Sequence, residues 1–324
     1  LATDNNGLGA LEMGVVPDLY PGRQPFGANK VRGRLSSLWG AKLSPVRGLD
    51  FDGMLAAAKK GDLQAMWVMG ADPLRDCREA GAVLGDLPFL VVQDLFMTRT
   101  ARQADVVLPA ASFVESAGSF TNVTGRLQSI RAALRPPGQA RPDWWIIGEL
   151  ARRMVKGKRQ RAWQLTSPDD VLHEITRAIP GLRELDWAAM GNGGWQRPSP
   201  TVPTARAFAL VDAEVPAVSA EYPFFLVTGR VLYDRGTLLS HSAKIQNLIP
   251  GPFVVIHPAD AAKLNLADGD AVTVAAARGQ VECRLRIREE VAPGVVFVPQ
   301  NLGAEPLSVL YTDRRSLPRV RLAK

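Results

Sequence analysis

The stretch AMWVMGADPLRDCREAGAVLGDLPFLVVQDLFMTRTARQADVVLP, residues 65–109, decides the fold class of this chain. Three short apolar runs within it, at 65–69, 88–94 and 105–109, have the length and composition of buried strands. After the first run, Asp72–Pro73 predicts a helix start, since proline is favoured at the first helical position. Strands that alternate with helices predict a parallel sheet with helices on its faces.

The three predicted strands end at Gly70, Asp94 and Pro109. Because crossovers between parallel strands are right-handed, these ends lie along one edge of the sheet. Ligands of open α/β sheets bind outside that carboxyl edge. A loop predicted over 110–129 emerges there too, so we expect it to approach any ligand of the sheet closely.

Helices are also predicted on both sides of this stretch, each with a polar residue that can cap it. The expected ranges are 50–60, 143–155 and 167–179. Their expected caps are, in the same order, Asp50 or Asp52, Asp143, and Ser167 followed by Pro168.

After Tyr222 the pattern is all-β, with tight turns between short apolar runs. The predicted strands cover 223–230, 252–258, 271–277, 281–288 and 293–299. In the fourth of these, apolar residues alternate with charged ones, which predicts a strand with Cys283 in the core and its arginines in water. Several short strands with tight turns predict a small closed barrel.

The predicted fold class is therefore α/β: a Rossmann-like parallel sheet domain followed by a small β-barrel domain. We expect the first domain at 1–189 and the barrel domain at 222–324. Residues 190–221, rich in proline and glycine, are expected to form a linker with one short strand.

The chain carries a net charge of +7 and a pI near 9.7. Such a balance can mark a nucleic-acid partner. The basic residues concentrate at 151–163, however, where few aromatic side chains interleave with them as a stacking platform requires. This segment is better explained as a solvated helix end that docks on an acidic partner, and a nucleic-acid-binding function rests on charge alone. No run of eighteen apolar residues occurs, so no direct membrane insertion is expected.

No catalytic or metal-binding motif is found. Cys77 and Cys283 are too few for an iron–sulfur cluster, which normally takes four thiolates. The three histidines, His173, His241 and His257, have no zinc-ligand spacing. His173 and His241 are expected at the surface, and His257 is expected to end a strand or cap the helix that starts at Pro258.

Several motifs, in their order and spacing, resemble the molybdopterin oxidoreductase superfamily. The stretches that resemble the later part of its α/β domain are LATDNNGLGALEMG (1–14), AMWVMGADPL (65–74), FLVVQDLFMTRTARQADVVLPAASFVESAGSFTNVTGRLQ (89–128) and PPGQARPDWWIIGELA (136–151). Residues 226–274, which begin LVTGRVLYDRG, resemble the dinucleotide-binding barrel domain, of double-psi type, that follows it in the family. The resemblance implies that the domain at 1–189 is incomplete, with its N-terminal part upstream.

Within the superfamily, PPGQARPDWWII (136–147) is most similar to the family of the G subunit of NADH-quinone oxidoreductase, the respiratory complex I. That resemblance implies a structural part of an iron–sulfur subunit, in a complex that passes electrons from NADH to quinone and translocates protons. The other subunits of the peripheral arm would be its partners, on the cytoplasmic side of the inner membrane. Iron–sulfur clusters are expected upstream, with no cofactor and no catalytic residue in this segment.

The same resemblance implies an alternative: the C-terminal half of an active molybdenum or tungsten bis-pterin enzyme such as formate dehydrogenase, with molybdopterin guanine dinucleotide as cofactor. The residues at pterin-nucleotide positions would be Gly70, Asp72, Gly125, Arg126, Thr228, Gly229, Arg230 and Gln300. Asp72 would accept the N–H groups of the base, and the arginines would contact phosphates.

We expect these positions to be vestigial. Gly70 and Gly125 are also what tight turns require, Asp72 also suits a helix cap, and Arg126 is expected to pair with Glu115. Where the superfamily loop usually reads E-x-x-G-T-x-x-N-x-E-G-R, Thr124 replaces the second acid, which removes one polar contact.

Overall fold

The structure is a computed structural model that describes residues 5–157, 160, 163–197, 219–303, 305–311 and 317–324. The described residues form two compact units. The α/β unit comprises those within 1–71 and 86–206, and the barrel unit comprises those within 72–85 and 207–324. Most of the expected linker, 198–218, lies outside the described residues, and the expected domain boundaries stay a prediction.

The α/β unit contains the parallel sheet that the sequence predicts. Its strands are β3 (Met66–Met69), β4 (Leu90–Asp94) and β5 (Val106–Pro109), hydrogen-bonded in that order and all parallel. The register pairs Met69 with Gln93 and Asp94 with Pro109, so the three carboxyl ends meet at one edge as expected. The fold class is confirmed.

The predicted loop over 110–129 contains a β-hairpin. Strands β6 (Gly118–Thr121) and β7 (Arg126–Ile130) pair antiparallel, and β8 (Trp195–Gln196) extends the sheet from the other side of β7. The loop prediction was wrong here because glycine, serine, threonine and asparagine dominate the sequence and hide the strand pattern. Within β6 only Thr121 is fully buried, so no apolar alternation marks it.

Helices and a small ribbon complete the α/β unit. They are α1 (Gly7–Glu12), β1 (Leu19–Tyr20), β2 (Gln24–Pro25), α2 (Asn29–Trp39), α3 (Phe51–Lys59), α6 (Asp143–Met154), α7 (Pro168–Ala178) and α8 (Trp187–Met190). A core cluster that includes Leu35, Leu127 and Leu172 packs α2, β7 and α7 together. Salt bridges join Glu12 of α1 to Arg197 at 3.0 Å and to Arg23 at 3.7 Å.

The helix caps follow the sequence in two cases and depart from it in one. Asp50 accepts a hydrogen bond from Gly53 N at 2.9 Å, and Ser167 forms a capping box with Asp170. Asp143, in contrast, is the first residue of α6 rather than its cap. Its carboxylate accepts a hydrogen bond from Gln93, a fully buried side chain of β4, so it joins the helix to the sheet instead of capping the helix.

The barrel unit contains a closed six-stranded barrel, which confirms that prediction. Its strands are β9 (Phe224–Gly229), β10 (Phe253–Ile256), β11 (Ala271–Ala276), β12 (Gly279–Ile287), β13 (Val295–Pro299) and β14 (Arg319–Ala323). They are hydrogen-bonded in the order β10-β12-β11-β14-β9-β13, and β10 closes the ring by pairing with β13. The helix α9 (Pro258–Leu264) follows β10, and His257 caps it as expected by accepting from Ala259 N at 3.1 Å.

The segment after Gly70 forms two short helices in place of the one predicted, α4 (Pro73–Asp76) and α5 (Arg78–Leu84). The chain is extended at Cys77, with φ −144° and ψ 115°, which breaks the helical run. Hydrogen bonding from Arg78 N to Ser308 Oγ at 3.2 Å, and a 3.5 Å ion pair between Glu79 and Arg278, tie this segment to the barrel unit. In the described part of the chain, no helix combines the length and apolar character needed to cross a bilayer.

Candidate functional site

The eight predicted pterin-nucleotide positions divide between the two units. Gly70, Gly125 and Arg126 belong to the α/β unit, whereas Asp72, Thr228, Gly229, Arg230 and Gln300 belong to the barrel unit. The structure brings the barrel-unit positions together in one polar cluster, which is described first.

Parallel pairing of β9 with β13 creates the centre of this cluster. Gly229 lies opposite Pro299 at the ends of the two strands, so Thr228 and Gln300 become neighbours although 72 positions separate them in the sequence. The amide Nε2 of Gln300 donates to Thr228 Oγ1 at 3.1 Å, and Gln300 N donates to Gly229 O at 2.8 Å. Thr228 Oγ1 also lies 2.9 Å from the hydroxyl of Tyr311. These contacts hold the ends of both strands together.

A buried carboxylate, Asp234, organises the loop after β9. It lies 3.9 Å from the guanidinium of Arg230, accepts from Gly236 N at 2.8 Å, and accepts from the amide of Asn301 at 3.5 Å. Sequence reasoning missed this residue. The signal was present in Asp-x-Gly at 234–236, a typical turn in which an aspartate accepts from the backbone two residues later.

Arg75 of α4 connects this loop to Asp72. Its guanidinium forms an ion pair with Asp76 at 2.7 Å and donates to Thr237 Oγ1 at 3.3 Å. Burial alone would lower the pKa of Arg75, but the hydrogen bond to Asp76 and the nearby charges of Asp76, Asp72 and Asp234 raise the pKa overall. Arg75 is therefore a permanent cation among three carboxylates.

Asp72 is 5% exposed and makes no side-chain capping hydrogen bond to α4, so the cap prediction was wrong. Its ψ of 73° lies outside the extended region from which a cap side chain reaches the first N–H groups of a helix.

The residues of this cluster fit a pterin dinucleotide in chemical type. Arg230, Arg75 and Gln300 carry N–H donors suited to phosphates, and Asp72 offers an acceptor for the base. In the structure, however, the Gln300 amide and both arginines already contact neighbours in the same unit. Gly229 is explained by packing, because a Cβ there would lie 3.2 Å from the ring of Phe297. A nucleotide would have to replace contacts that the cluster makes with itself.

In the α/β unit, the turn of the β6–β7 hairpin is also satisfied internally. Asn122 Oδ1 accepts from Thr124 N at 3.0 Å, Thr124 Oγ1 at 2.8 Å and Arg126 N at 3.0 Å. Gly125 has a φ of +78°, which only glycine adopts without strain. Thr124, which replaces the usual acid, thus contributes to the turn itself.

The expected pair between Arg126 and Glu115 is absent from the described structure. Arg126 donates to the carbonyl of Gly193 at 3.0 Å, and Glu115 accepts from Ser112 N at 2.9 Å. The hairpin fixes the direction of Arg126, which the loop prediction did not include. Gly70 has a φ of +62° and donates from its N–H to Gln93 O at 2.9 Å, so the turn requirement predicted for it is confirmed.

Histidines and cysteines occupy peripheral or core positions. His241 is exposed in the single turn Leu239–His241, and His173 is exposed on α7. Cys283 is buried in the barrel core as predicted. No group of three or more histidine, cysteine, aspartate and glutamate side chains among the described residues is placed to hold a metal ion.

We expect the thiol of Cys283 to resist iodoacetamide in the folded protein at about pH 8, because only the thiolate reacts. Burial raises the pKa of this thiol to about 11. Peptide mass spectrometry before and after unfolding in urea measures the modification. The folded thiol keeps its proton where the unfolded thiol loses it, so the free energy of unfolding should also fall from about pH 8.5 upward through the folded pKa. Equal labelling of the folded and unfolded chains would contradict this.

Two family descriptions match the chain in the order in which its two folds occur. Residues 9–153 match molybdopterin oxidoreductase, and residues 224–318 match the molybdopterin dinucleotide binding domain. The chain belongs to the molybdopterin oxidoreductase superfamily. The second match covers the polar cluster at Thr228 and Gln300, and a dinucleotide-binding domain of this superfamily is therefore present.

Relatives in this superfamily have different activities. The second of the G subunits of NADH-quinone oxidoreductase from Rhizobium meliloti is 36% identical over 94% of this chain and 35% of its own length. The alpha subunit of F420-dependent formate dehydrogenase from Methanocaldococcus jannaschii is 34% identical over 92% of this chain and 47% of its own length. The chain thus spans between a third and a half of these relatives. Both names denote oxidoreductases, and both denote subunits.

A solved structure shows the same fold. Acetylene hydratase from Pelobacter acetylenicus matches with a TM-score of 0.68 over 92% of this chain and 50% of its own, at 17% identity. This likeness supports the architecture alone.

Proposed function

We propose that this chain is the C-terminal structural part of the iron–sulfur G subunit of NADH-quinone oxidoreductase. In this function it belongs to the peripheral arm, on the cytoplasmic side of the membrane, and electron transfer takes place on clusters outside this segment. The relative from Rhizobium meliloti supports the proposal. Because a formate dehydrogenase subunit is almost equally similar, the choice depends on the residues of the cluster itself.

The mutual pairing of the predicted pterin positions carries the proposal. Gln300 and Thr228 bond to one another, and Thr228 bonds further to Tyr311. Arg230 faces Asp234, whose carboxylate also accepts from a backbone N–H. Since donors engaged in this way stabilise the loops after β9 and β13, these residues already have a structural task in the absence of a nucleotide.

A second candidate is the C-terminal half of an active molybdenum or tungsten enzyme. Asp72 favours it, because a buried carboxylate near Arg75 that makes no cap hydrogen bond has the chemistry to accept N–H groups from a base. Arg230 and Gln300 would then bind phosphates through their N–H groups. The bound metal would supply two-electron chemistry on a small substrate, and this chain would hold and orient the cofactor.

Thr228→Val in the full-length subunit, purified in its native complex, separates the two functions. It removes the hydroxyl shared by Gln300 and Tyr311 and leaves the shape of the side chain unchanged. In the structural function we expect unchanged NADH–quinone turnover and a loss of about 1 kcal/mol in the free energy of unfolding. Thr273→Val, on β11 of the same barrel, is the matched control.

Metal analysis of the same preparation completes the test. Stoichiometric molybdenum or tungsten, together with a loss of turnover of about tenfold or more in Thr228→Val, would establish the second candidate and overturn the first. Metal at trace levels with full NADH–quinone turnover is the expected result.

A further inference from the structure

The outward face of β12 carries a basic groove that the proposed function does not use. The groove encloses about 340 Å³ and is lined by Gly251, Pro252, Phe253, Asp268, Gly269, Arg284, Leu285, Arg286 and Arg288, all in the barrel unit. Three arginines thus face one carboxylate. We call these lining residues the β12 groove.

Arg286 is preorganised to bind a planar anion. Its guanidinium lies over the ring of Phe253, with its central carbon 3.6 Å from the ring centroid. A guanidinium stacked on a ring leaves its N–H donors free at its edge, and that edge matches the two oxygens of a carboxylate. Arg286 is half-buried, and the hydrogen bonds and ion pairs of the described residues include none made by its guanidinium.

Arg284 and Arg288 extend the positive surface along the same strand. Arg284 is exposed and donates to the carbonyl of Gly269 at 3.1 Å, which fixes its direction. Arg288 lies 3.3 Å from Asp268, so its charge is largely balanced. The uncompensated charge of the groove therefore comes from Arg284 and Arg286, which are two positions apart and on the same face of β12.

The backbone of the groove argues for carboxylates rather than phosphates. Phosphate sites usually present free backbone N–H groups. Here Gly269 N donates to Leu285 O, Arg284 N donates to Pro252 O, and Ile287 N donates to Asp268. The carboxylate of Asp268 repels a doubly charged phosphate more strongly than a singly charged carboxylate.

We propose that the β12 groove receives acidic side chains, aspartate or glutamate, from a neighbouring subunit of the complex. The closed barrel has no free edge for a partner strand, so guanidinium–carboxylate pairs at Arg284 and Arg286 give the contact its specificity. This inference rests on the proposed function only in requiring that the chain works inside a multisubunit assembly.

Chemical cross-linking of the native complex tests the contact directly. Arg286→Lys places an ammonium in the groove, and a carbodiimide joins amines to carboxylates in direct contact without adding a spacer. We expect a new cross-link from position 286 to an aspartate or glutamate of another subunit, identified by mass spectrometry. A complex in which other intersubunit lysine–carboxylate pairs react, while position 286 reacts only within its own chain or not at all, would overturn the proposal.

Affinity provides a second measurement that does not depend on cross-linking. The double variant Arg284→Gln, Arg286→Gln should weaken association of the full-length subunit with its partner about tenfold, and the association should become less sensitive to salt. Arg321→Gln, an exposed arginine on β14 outside the groove, should leave both unchanged. Equal affinity for the double variant, or saturable binding of inorganic phosphate that only the double variant loses, would count against an acidic polypeptide.

The result also separates this inference from the proposed function. A cross-link to a subunit of an assembly other than NADH-quinone oxidoreductase would support the groove and refute the function. Purification with NADH-quinone oxidoreductase, without the cross-link and with unchanged affinity, would refute the groove alone.

Discussion

Leu226→Ala should lower the free energy of unfolding of the barrel unit by about 2–5 kcal/mol, the largest effect expected of any single truncation in the core. Leu226 is 1% exposed on β9, the strand that pairs with both β13 and β14. It packs in a cluster with Val254, Val274 and Val296, which are completely buried. Neighbours on fully paired strands cannot move far to fill the space, so most of the cavity remains.

The measurement has to follow the barrel rather than the whole chain. All seven tryptophans lie in the α/β unit, so their fluorescence does not report on the barrel. Hydrogen exchange of peptides from β9, β11 and β14, measured in increasing urea, isolates the barrel signal. Leu232→Ala is the matched control, since Leu232 belongs to the same unit and is 82% exposed. If both substitutions shift the transition equally, the barrel core is not packed as described.

Arg197→Met should destabilise the α/β unit by about 3 kcal/mol, because it removes the nearest counter-charge of a buried carboxylate. Glu12 is 2% exposed, and its Oε1 lies 3.0 Å from Arg197 and 3.7 Å from Arg23. Its other oxygen, Oε2, is buried without a hydrogen bond among the described residues. The remaining contact to Arg23 is longer, so the carboxylate would stay buried with little compensation.

Tryptophan fluorescence in urea suits this measurement, since it reports on the α/β unit alone. Arg153→Met is the control: Arg153 is 73% exposed in its 3.5 Å ion pair with Glu149, and exposed pairs contribute below about 1 kcal/mol. A loss for Arg197→Met no larger than the control would mean that Glu12 is protonated or solvated in the folded protein. Repeating the titration at low pH distinguishes these two cases, because protonation removes the penalty.

Much of the fold is predictable from local sequence. The runs at 65–69, 88–94 and 105–109 became a parallel sheet because continuous apolar runs between helix signals allow few other arrangements. The last barrel strand, β14, was missed. Val320 and Leu322 are buried between the outward-facing Arg319 and Arg321, but one pair of alternations is too short to predict a strand. Its pairing with β11 and β9 is decided by closure of the barrel, which is a property of the whole unit.

The candidate site was less accessible to sequence reasoning. Thr228 and Gln300 were each identified, but only the pairing of β9 with β13 makes them partners. Asp143 and Arg126 were assigned local partners, whereas the structure gives them distant ones in Gln93 and Gly193. A charged side chain can satisfy its hydrogen bonds in several ways, and the choice depends on packing that short-range patterns do not contain.

The pairing order of the barrel has a consequence for how the protein is made. From the end of β9 at Gly229 to the start of β14 at Arg319 the ribosome must add about 90 residues, which takes roughly 5–20 s at ordinary rates of synthesis. During that time the apolar strand FFLVTG has neither of its partners. Nascent chains of this protein should therefore depend on chaperones that cover exposed strands, more than a protein built from local hairpins would.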